Sequence, residues 1–341
     1  MTDADGSFTP ARLSPAPVDH RPCALPYGVT WDDLRHCLPG FTTAAGARAW
    51  IAHDKQGLNG GVTSCILTIG YPTPDGDERT QTVFVKQAVD PTRAEAARYR
   101  FLESRGIPVP RLLASVDTAH GEVIVVEFLP TIGVGSHDAD ELLGLVALLN
   151  AVAHPPAELF KASAGMPVEI FDAKVLAALA LLADDPASGD VVDRERWFGA
   201  YKSIEDAVGS MPAALNHGEL AFQQVGRTGS GRVVLFDLET MAVLPRFTDV
   251  AAVLGGLAQL TGRDQRDLFG GYLREYVALT GTALQEESAW TELLSVRVVS
   301  SLQALPWLME TIDDPDVGFD PRTFARALGA DLRELEPDLD K

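Results

Sequence analysis

The chain has 341 residues, 46% of them hydrophobic and 22% charged, which is enough apolar material for one large bilobal domain or two ordinary ones. Asp and Glu total 48 against 28 for Lys and Arg, and the resulting formal net charge of −20 argues against nucleic acid as a partner. The three cysteines (Cys23, Cys37 and Cys65) have no paired spacing, which argues against a disulfide framework and against a zinc site.

The first part of the chain predicts an arm followed by a hairpin. Residues 1–26 are rich in Pro and small polar residues, which is typical of a mostly disordered arm. Residues 31–52 favour one or two short helices. Two β-rich runs follow at 60–72 and 79–88, and the Pro/Asp/Gly segment between them predicts a turn.

The next elements complete a small antiparallel sheet with one helix. The segment "RAEAARYRFLESRG" predicts a helix that ends at Gly106. The runs "IPVPRLLASV" and "GEVIVVEFLP" then predict two further strands, up to Pro130. The order strand, strand, helix, strand, strand is typical of an α+β lobe.

Beyond Pro130 the pattern becomes helical. The run "DADELLGLVALLNAVAH" predicts a helix that begins at Asp138, with Glu141 completing a capping box. Further helices are predicted at 171–183, at 193–209 and in four segments after Thr248, and a short strand, "GRVVLFDLE", lies between them. No apolar run reaches the ~18 residues that span a bilayer, and no signal peptide is recognisable, so we expect a cytoplasmic protein without a membrane partner.

Several residues carry the chemistry that phosphoryl transfer requires, namely a cation for the phosphates, oxygen ligands for Mg²⁺ and a group that orients or deprotonates the acceptor. Lys86 ends the apolar strand "TVFVK", and Glu95 opens the next helix and could pair with it. A carboxylate after "VVLF" is costly to bury unless it is paired or metal-bound, which favours a functional Asp237 over the neighbouring Glu239, for which we expect a structural or supporting role. The remaining candidates are Asn59, Gly60, Gly61, Thr63 and Ser64, whose backbone N–H groups and hydroxyls could cover phosphates, and Glu219 and Gln224.

This order and spacing resembles the aminoglycoside phosphotransferase and choline kinase group of kinase-fold enzymes. Their catalytic loop, H-G-D-x-x-x-x-N, corresponds to "HGELAFQQ" here, and Asp237 lies eighteen residues after Glu219, at the end of a strand. Three further segments resemble the family: "SRGIPVPRLL" (104–113), the hinge "EFLP" (127–130), and "PRFTDVAAV" (245–253), in which Asp249 would brace the loop.

The resemblance implies an α+β, bilobal, protein-kinase-like fold that binds ATP and Mg²⁺. The arm (1–26) would precede a nucleotide-binding lobe (27–129), a small antiparallel sheet with one helix, and a larger, mainly helical catalytic and acceptor-binding lobe (130–341). For the nucleotide, the resemblance implies that Lys86 binds phosphate, that Glu95 holds Lys86, and that the backbone of Glu127, Phe128 and Leu129 receives the adenine. For the metal ion, it implies that Asp237 and Gln224 bind Mg²⁺. In the loop, it implies that Glu219 orients or deprotonates the acceptor and that His217 braces the loop. Glu103 is a weaker partner for Lys86 than Glu95, since it lies at the end of the helix.

The loop departs from the family pattern at two positions. Glu219 replaces Asp and Gln224 replaces Asn, and each side chain is longer by about 1.5 Å, one C–C bond. Three interpretations follow. The loop could be set back so that both groups still reach their places, the protein could be a nucleotide-binding pseudokinase scaffold, or the fold could host another activity.

The sequence leaves the acceptor open. The family default is a hydroxyl of a small, hydroxylated and sometimes cationic metabolite or antibiotic, as in secondary metabolism. The alternative is a Ser or Thr of a biosynthetic precursor peptide, phosphorylated for a partner lyase, which also leaves a protein partner open. The acidic segment 183–195 is either an exposed loop or part of a rim for a cationic acceptor.

Overall fold

The first lobe is built on a five-stranded antiparallel sheet in the order β2-β3-β4-β6-β5. The computed structural model describes residues 10–14, 22–58, 62–88, 94–118, 121–161, 168–186, 188–312 and 319–339. The strands of this sheet are β2 (Arg48–Leu58), β3 (Val62–Pro72), β4 (Glu78–Gln87), β5 (Leu112–Thr118) and β6 (Gly121–Glu127). A single long helix, α2 (Glu95–Ser104), packs against β5 and β6, as the sequence predicted.

The alternation of side chains along β4 decides what faces the cleft. Val83 and Val85 are fully buried on one face of the sheet, in a core that the N-terminal segment covers with Leu34. Phe84 points the other way and packs against the larger core that includes helix α2. Because successive side chains of a strand point to opposite faces, Lys86 lies on the same face as Phe84.

The segment before the sheet corrects one prediction. A helix forms only at α1 (Trp31–Leu34), where Thr30 and Asp33 make a capping box. The predicted helix is wrong from Arg48 onward, where β2 begins and pairs antiparallel with β3. Its apolar residues fit either periodicity, and pairing with the partner strand settles the conformation.

Parts of the N-terminal arm are held by backbone pairing. Strand β1 (Ala11–Arg12) pairs with β7 (Thr131–Ile132), and the N–H of Leu13 donates to the carbonyl of Pro130 at 3.0 Å. Farther along, Cys23 forms a bridge with Ala49 of β2. The expectation of a mostly disordered arm therefore does not describe these two pieces, which are anchored to other elements.

The second lobe is mainly helical, which confirms the predicted α+β bilobal architecture. Its helices are α3 (Ala139–Asn150), α4 (Val168–Asp184), α5 (Arg194–Gly209), α6 (Thr248–Thr261), α7 (Gln265–Thr280), α8 (Glu286–Glu310) and α9 (Pro321–Leu339). Its short strands are β8 (Ala213–Asn216), β9 (Val225–Arg227), β10 (Val233–Leu235) and β11 (Ala242–Pro245). Strands β8 and β11 pair with each other, whereas β9 and β10 extend the sheet that begins with β1 and β7. Within the described residues, no helix combines the length and apolar composition needed to cross a bilayer.

Helix α3 begins differently from the predicted capping box. Asp138 makes no capping hydrogen bond to the helix and instead accepts from the N–H of Gly135 at 2.7 Å and pairs with Arg227. Glu141 accepts from the N–H of Val233 at 3.0 Å. Both carboxylates therefore hold the sheet that contains β9 and β10, because Asp138 pairs with Arg227 of β9 and Glu141 accepts from the N–H of Val233 of β10.

A buried amide joins α3 to β8, the strand that leads into the loop at His217. Asn150 donates through Nδ2 to the carbonyl of Leu215 at 2.8 Å and to Oδ1 of Asn216 at 3.2 Å. The hydroxyl of Tyr272, on α7, donates to Oδ1 of Asn150 at 2.8 Å. Three elements are thus held by one side chain that is only 4% exposed.

Replacing Asn150 by Ala should lower the free energy of unfolding by about 2–4 kcal/mol, because the buried partners are left unsatisfied. Urea denaturation followed by circular dichroism measures this loss. Asp140→Ala on the same helix is the matched control, since it removes only an exposed ion pair with Arg263 and should cost less than about 1 kcal/mol. Equal losses of unfolding free energy in the two variants would show that the hydrogen bonds of Asn150 stabilise the fold no more than an exposed ion pair does.

Candidate functional site

The loop that follows β8 is braced by a buried carboxylate. Asp249, in the first turn of α6, accepts from the N–H of His217 at 2.6 Å and from the N–H of Gly218 at 3.1 Å. Burial raises the pKa of Asp249, and the imidazole of His217 and these N–H donors act against that shift. Gly218 has φ +90°, and a Cβ there would lie 2.6 Å from the carbonyl oxygen of Thr240, so the loop requires glycine at this position.

The backbone of Phe236 ties both ends of the loop to the end of β10. Nε2 of His217 donates to the carbonyl of Phe236 at 2.8 Å, and the N–H of Phe236 donates to the carbonyl of Gln224 at 3.1 Å. Because a carbonyl only accepts, the hydrogen of the imidazole is on Nε2. Asp237 is the next residue, so these two bonds place it beside the loop.

A single ammonium group lies among three carboxylates. Nζ of Lys86 is 2.5 Å from Oδ1 of Asp237, 2.8 Å from Oε2 of Glu95 and 3.3 Å from Oε2 of Glu239. Lys86 and Glu95 are almost fully buried, whereas the Asp237 side chain is 40% exposed toward the cleft. The contact expected between Lys86 and Glu95 is therefore present, and the two lobes meet at this ammonium.

The charges around Lys86 decide its protonation. Burial alone lowers the pKa of Lys86, but the carboxylates of Glu95, Asp237 and Glu239 outweigh it and hold the pKa above its ordinary value. Lys86 is therefore a permanent cation at neutral pH. A residue with these neighbours can bind an anion only if the anion joins or displaces a carboxylate.

Helix α2 holds the segment after β10 from the other side. Oε1 of Glu95 accepts from the N–H of Leu238 at 3.1 Å, and Nη1 of Arg98 donates to the carbonyl of Leu238 at 2.7 Å. Arg98 also donates through Nε to the carbonyl of Leu159 at 3.1 Å. Between these bonds Asp237 adopts a left-handed conformation (φ 64°, ψ 59°), which a non-glycine residue keeps only when its surroundings impose it.

Glu239 belongs to this cluster more closely than the sequence indicated. Carboxylate oxygens of Glu95, Asp237 and Glu239 lie within 4.8 Å of one another, a grouping that could hold a metal ion. Glu239 reaches the cluster because Leu238–Thr240 forms a 3-10 turn that brings position 239 back toward position 237. In the sequence, the only indication of this position was that Glu239 follows Asp237 by two residues after the end of a strand.

Two of the predicted phosphate-covering residues and the start of the predicted hinge lie on strands that pair with β4, the strand of Lys86. On β3, Ser64 lies opposite Lys86 and Thr63 lies opposite Gln87. Asn59, Gly60 and Gly61 lie outside the described residues. On β6, which pairs with β4 on its other side, the N–H of Glu127 donates to the carbonyl of Arg111 at 2.9 Å. This bond fixes the start of the predicted hinge. Phe128 is half-buried and Leu129 is buried.

Glu219 and Gln224 take different orientations within the loop. Oε1 of Gln224 accepts from the N–H of Ala221 at 3.2 Å, so this amide oxygen is turned toward the loop itself. Glu219 is exposed and lines a pocket of about 920 Å³ in the second lobe, bounded by α5, α6, α8 and α9. None of the described residues of the acidic segment 183–195 lines that pocket.

Solved structures of two groups of enzymes have this arrangement of lobes. Spectinomycin phosphotransferase in complex with ADP and spectinomycin matches with a TM-score of 0.52 and 12% identity, over 83% of this chain and 93% of that one. A choline/ethanolamine kinase family protein from Mesorhizobium loti matches with a TM-score of 0.51 and 16% identity, over 83% and 87%. The ethanolamine kinase of Plasmodium vivax matches with a TM-score of 0.50 and 14% identity, over 84% and 82%.

This chain has the fold of the aminoglycoside phosphotransferases and the choline/ethanolamine kinases. The resemblance stated from the sequence is confirmed at that level. No protein-family profile matches the chain, and no curated protein sequence matches it significantly. Identities of 12–16% carry the fold and not the acceptor.

Replacing Asp249 by Asn should loosen the loop, because one N–H of the amide would face one of the two backbone N–H groups that the carboxylate now accepts. We expect a loss of about 2 kcal/mol in the free energy of unfolding and faster hydrogen exchange at the amides of His217 and Gly218. Thr240→Val is the control, since it removes only a 3.2 Å bond to the carbonyl of His217 and leaves both amides covered. Unchanged exchange at these amides in Asp249→Asn would contradict the bracing role.

Proposed function

We propose that the protein transfers the γ-phosphoryl group of ATP to a hydroxyl of a small molecule held in the pocket beside Glu219. One observation supports this most directly. The loop braced by Asp249 presents Glu219 to the pocket, and Phe236 ties the same loop to Asp237 on the side where Lys86 lies. An acceptor on one side and a nucleotide on the other would thus meet across this loop.

The cluster around Lys86 fits a nucleotide with its metal ion. One ammonium among three carboxylates leaves a formal surplus of two negative charges when all are ionised, which suits a divalent cation. Mg²⁺ takes oxygen ligands, and Asp237, Glu239 and the amide of Gln224 are the groups that would hold it. When bound, Mg²⁺ neutralises charge on the phosphates. Lys86 would then exchange Asp237 for phosphate oxygens, while Glu95 keeps it in place.

Transfer then requires little covalent work from the protein. The acceptor oxygen forms a bond to the γ-phosphorus, the bond from that phosphorus to the bridging oxygen of ADP breaks, and the hydroxyl proton goes to the carboxylate of Glu219. The backbone of Glu127, Phe128 and Leu129 would receive the adenine. Positioning is the main contribution, which is why the rigidity of the loop matters.

The longer side chains of Glu219 and Gln224 are compatible with a working loop. Both substitutions keep the carboxylate and amide groups, and the braces at Asp249, His217 and Phe236 are in place. For Gln224 to reach a metal ion, its Oε1 must leave the N–H of Ala221, which is a weak 3.2 Å bond. The geometry therefore favours a catalytically active loop over an inactive one.

Mg²⁺-dependent ATP binding and slow ATP hydrolysis, compared among variants, test the proposal. Asp237→Ala should weaken Mg²⁺-dependent binding and lower turnover at least about 100-fold, as removal of a group that stabilises transition-state charge does. Glu219→Gln should keep ATP binding and lower turnover by roughly 100- to 10,000-fold, the usual contribution of a general base. Glu275→Gln, an exposed change on α7, is the matched control and should leave both quantities unchanged.

Other outcomes would support the alternatives. ATP binding without turnover, unaffected by Glu219→Gln, would indicate a pseudokinase scaffold. Turnover stimulated only by Ser- or Thr-containing peptides would indicate a precursor-peptide kinase. Absence of nucleotide binding in the wild type would refute the proposed function.

A further inference from the structure

The acceptor pocket has a chemical character of its own. Its volume of about 920 Å³ is within the range of sites for drug-sized ligands. The loop at Gly218–Leu220 forms one wall, and helices α5, α6, α8 and α9 form the others. Any molecule filling this pocket would therefore lie against Glu219.

Most of the pocket wall is hydrocarbon. Aliphatic and aromatic side chains come from every wall, among them Leu244, Val296, Val299, Leu308, Phe324 and Leu328. Neutral polar residues are fewer and come from three helices, namely Thr248 on α6, Gln265 on α7, and Ser300, Ser301 and Gln303 on α8. Such a wall gains free energy by covering apolar surface of a ligand.

The charges of the wall between α8 and α9 are already neutralised within the protein. Nε and Nη2 of Arg297 donate to the two carboxylate oxygens of Asp331 at 2.6 and 2.5 Å, and Nη1 donates to Oε1 of Gln265 at 2.6 Å. Both side chains are largely buried, with 17% and 12% exposure. The guanidinium therefore has each of its three nitrogens in use, and the carboxylate has both oxygens in use.

The acidic group on α5 is also paired, through an ammonium that it shares with Asp172. Glu205 pairs with Lys202 and accepts from the hydroxyl of Tyr201 at 2.7 Å. A cationic ligand that engaged Glu205 or Asp331 would have to displace Lys202 or Arg297, whereas Glu219 is an exposed carboxylate of the same wall. Breaking such pairs is costly, above all for the largely buried Arg297 and Asp331.

We infer that the acceptor is a largely hydrocarbon small molecule that presents a hydroxyl group to Glu219. This inference rests on the proposed function and specifies its substrate class. The apolar body of the acceptor packs against the walls from α6, α8 and α9, and its few polar groups meet the hydroxyls of Ser300 and Ser301.

Binding of N-phenyl-1-naphthylamine, a neutral fluorescent probe for apolar pockets, tests the inference on the full chain without nucleotide. The wild type should bind it saturably. Ala304→Trp and Ala327→Trp should each weaken binding at least tenfold, because both residues line the pocket at exposed positions where an indole fills space without entering the core. Ala278→Trp, at an exposed position of α7 that does not line the pocket, is the matched control and should bind as the wild type does. Equal melting temperatures would show that all three variants fold.

Competition distinguishes an amphiphilic ligand with a large apolar body from polar cations. Octyl glucoside, a neutral hydroxylated amphiphile, should displace the probe below its micelle concentration, whereas kanamycin and choline should not. Displacement by the cations alone, or probe binding that the two pocket variants leave unchanged, would overturn the inference. These readouts need neither ATP nor turnover, so failure of phosphoryl transfer would refute the proposed function while leaving the measured character of the pocket standing.

Discussion

The buried ammonium of Lys86 is the interaction on which the geometry of the cleft depends. It joins strand β4, helix α2 and the segment after β10 through contacts with Glu95, Asp237 and Glu239. Without a cation at this position three carboxylates would repel one another across the boundary between the lobes. Breaking a buried ion pair by removing one partner typically costs about 3–5 kcal/mol of stability. The ion pairs of Lys86 therefore hold the two lobes in position, and the proposed nucleotide would use the same ammonium.

The segment around Asp237 is fixed from both lobes. His217 and Gln224 bond the backbone of Phe236, while Glu95 and Arg98 bond the backbone of Leu238. Asp237 lies between these two residues in a left-handed conformation. Its carboxylate therefore has little freedom at the backbone, and only its side chain can turn from Lys86 toward a ligand. This is the kind of preorganisation that phosphoryl transfer requires.

The net charge of the chain does not by itself describe the pocket beside Glu219. The chain carries a formal charge of −20, and a cationic acceptor was a reasonable expectation from it. In the pocket, however, most of the wall is hydrocarbon, Asp331 is paired with Arg297, and Glu205 shares Lys202 with Asp172. The described acidic residues of 183–195 cap and cross-link their own region instead, as Asp193 does at the start of α5 and Asp185 does with Ser188. The pocket therefore takes its character from the side chains that line it and their local pairing, and not from the net charge of the chain.

The sequence by itself determined the order of elements and marked Lys86 and Asp237 as candidates, because hydrophobic periodicity and spacings within short segments are local features. The division into two lobes and the bracing role expected of His217 followed from the family resemblance of the loop. Only the tertiary structure decided that residues 48–52 form a strand, that Asp138 serves Arg227 rather than its own helix, and that Glu239 joins Asp237. The Lys86–Asp237 contact spans 151 residues, and the pairing of Arg297 with Asp331 spans 34. Partners so far apart leave no mark on local sequence pattern, so their choice among competing groups is made only when the chain has packed.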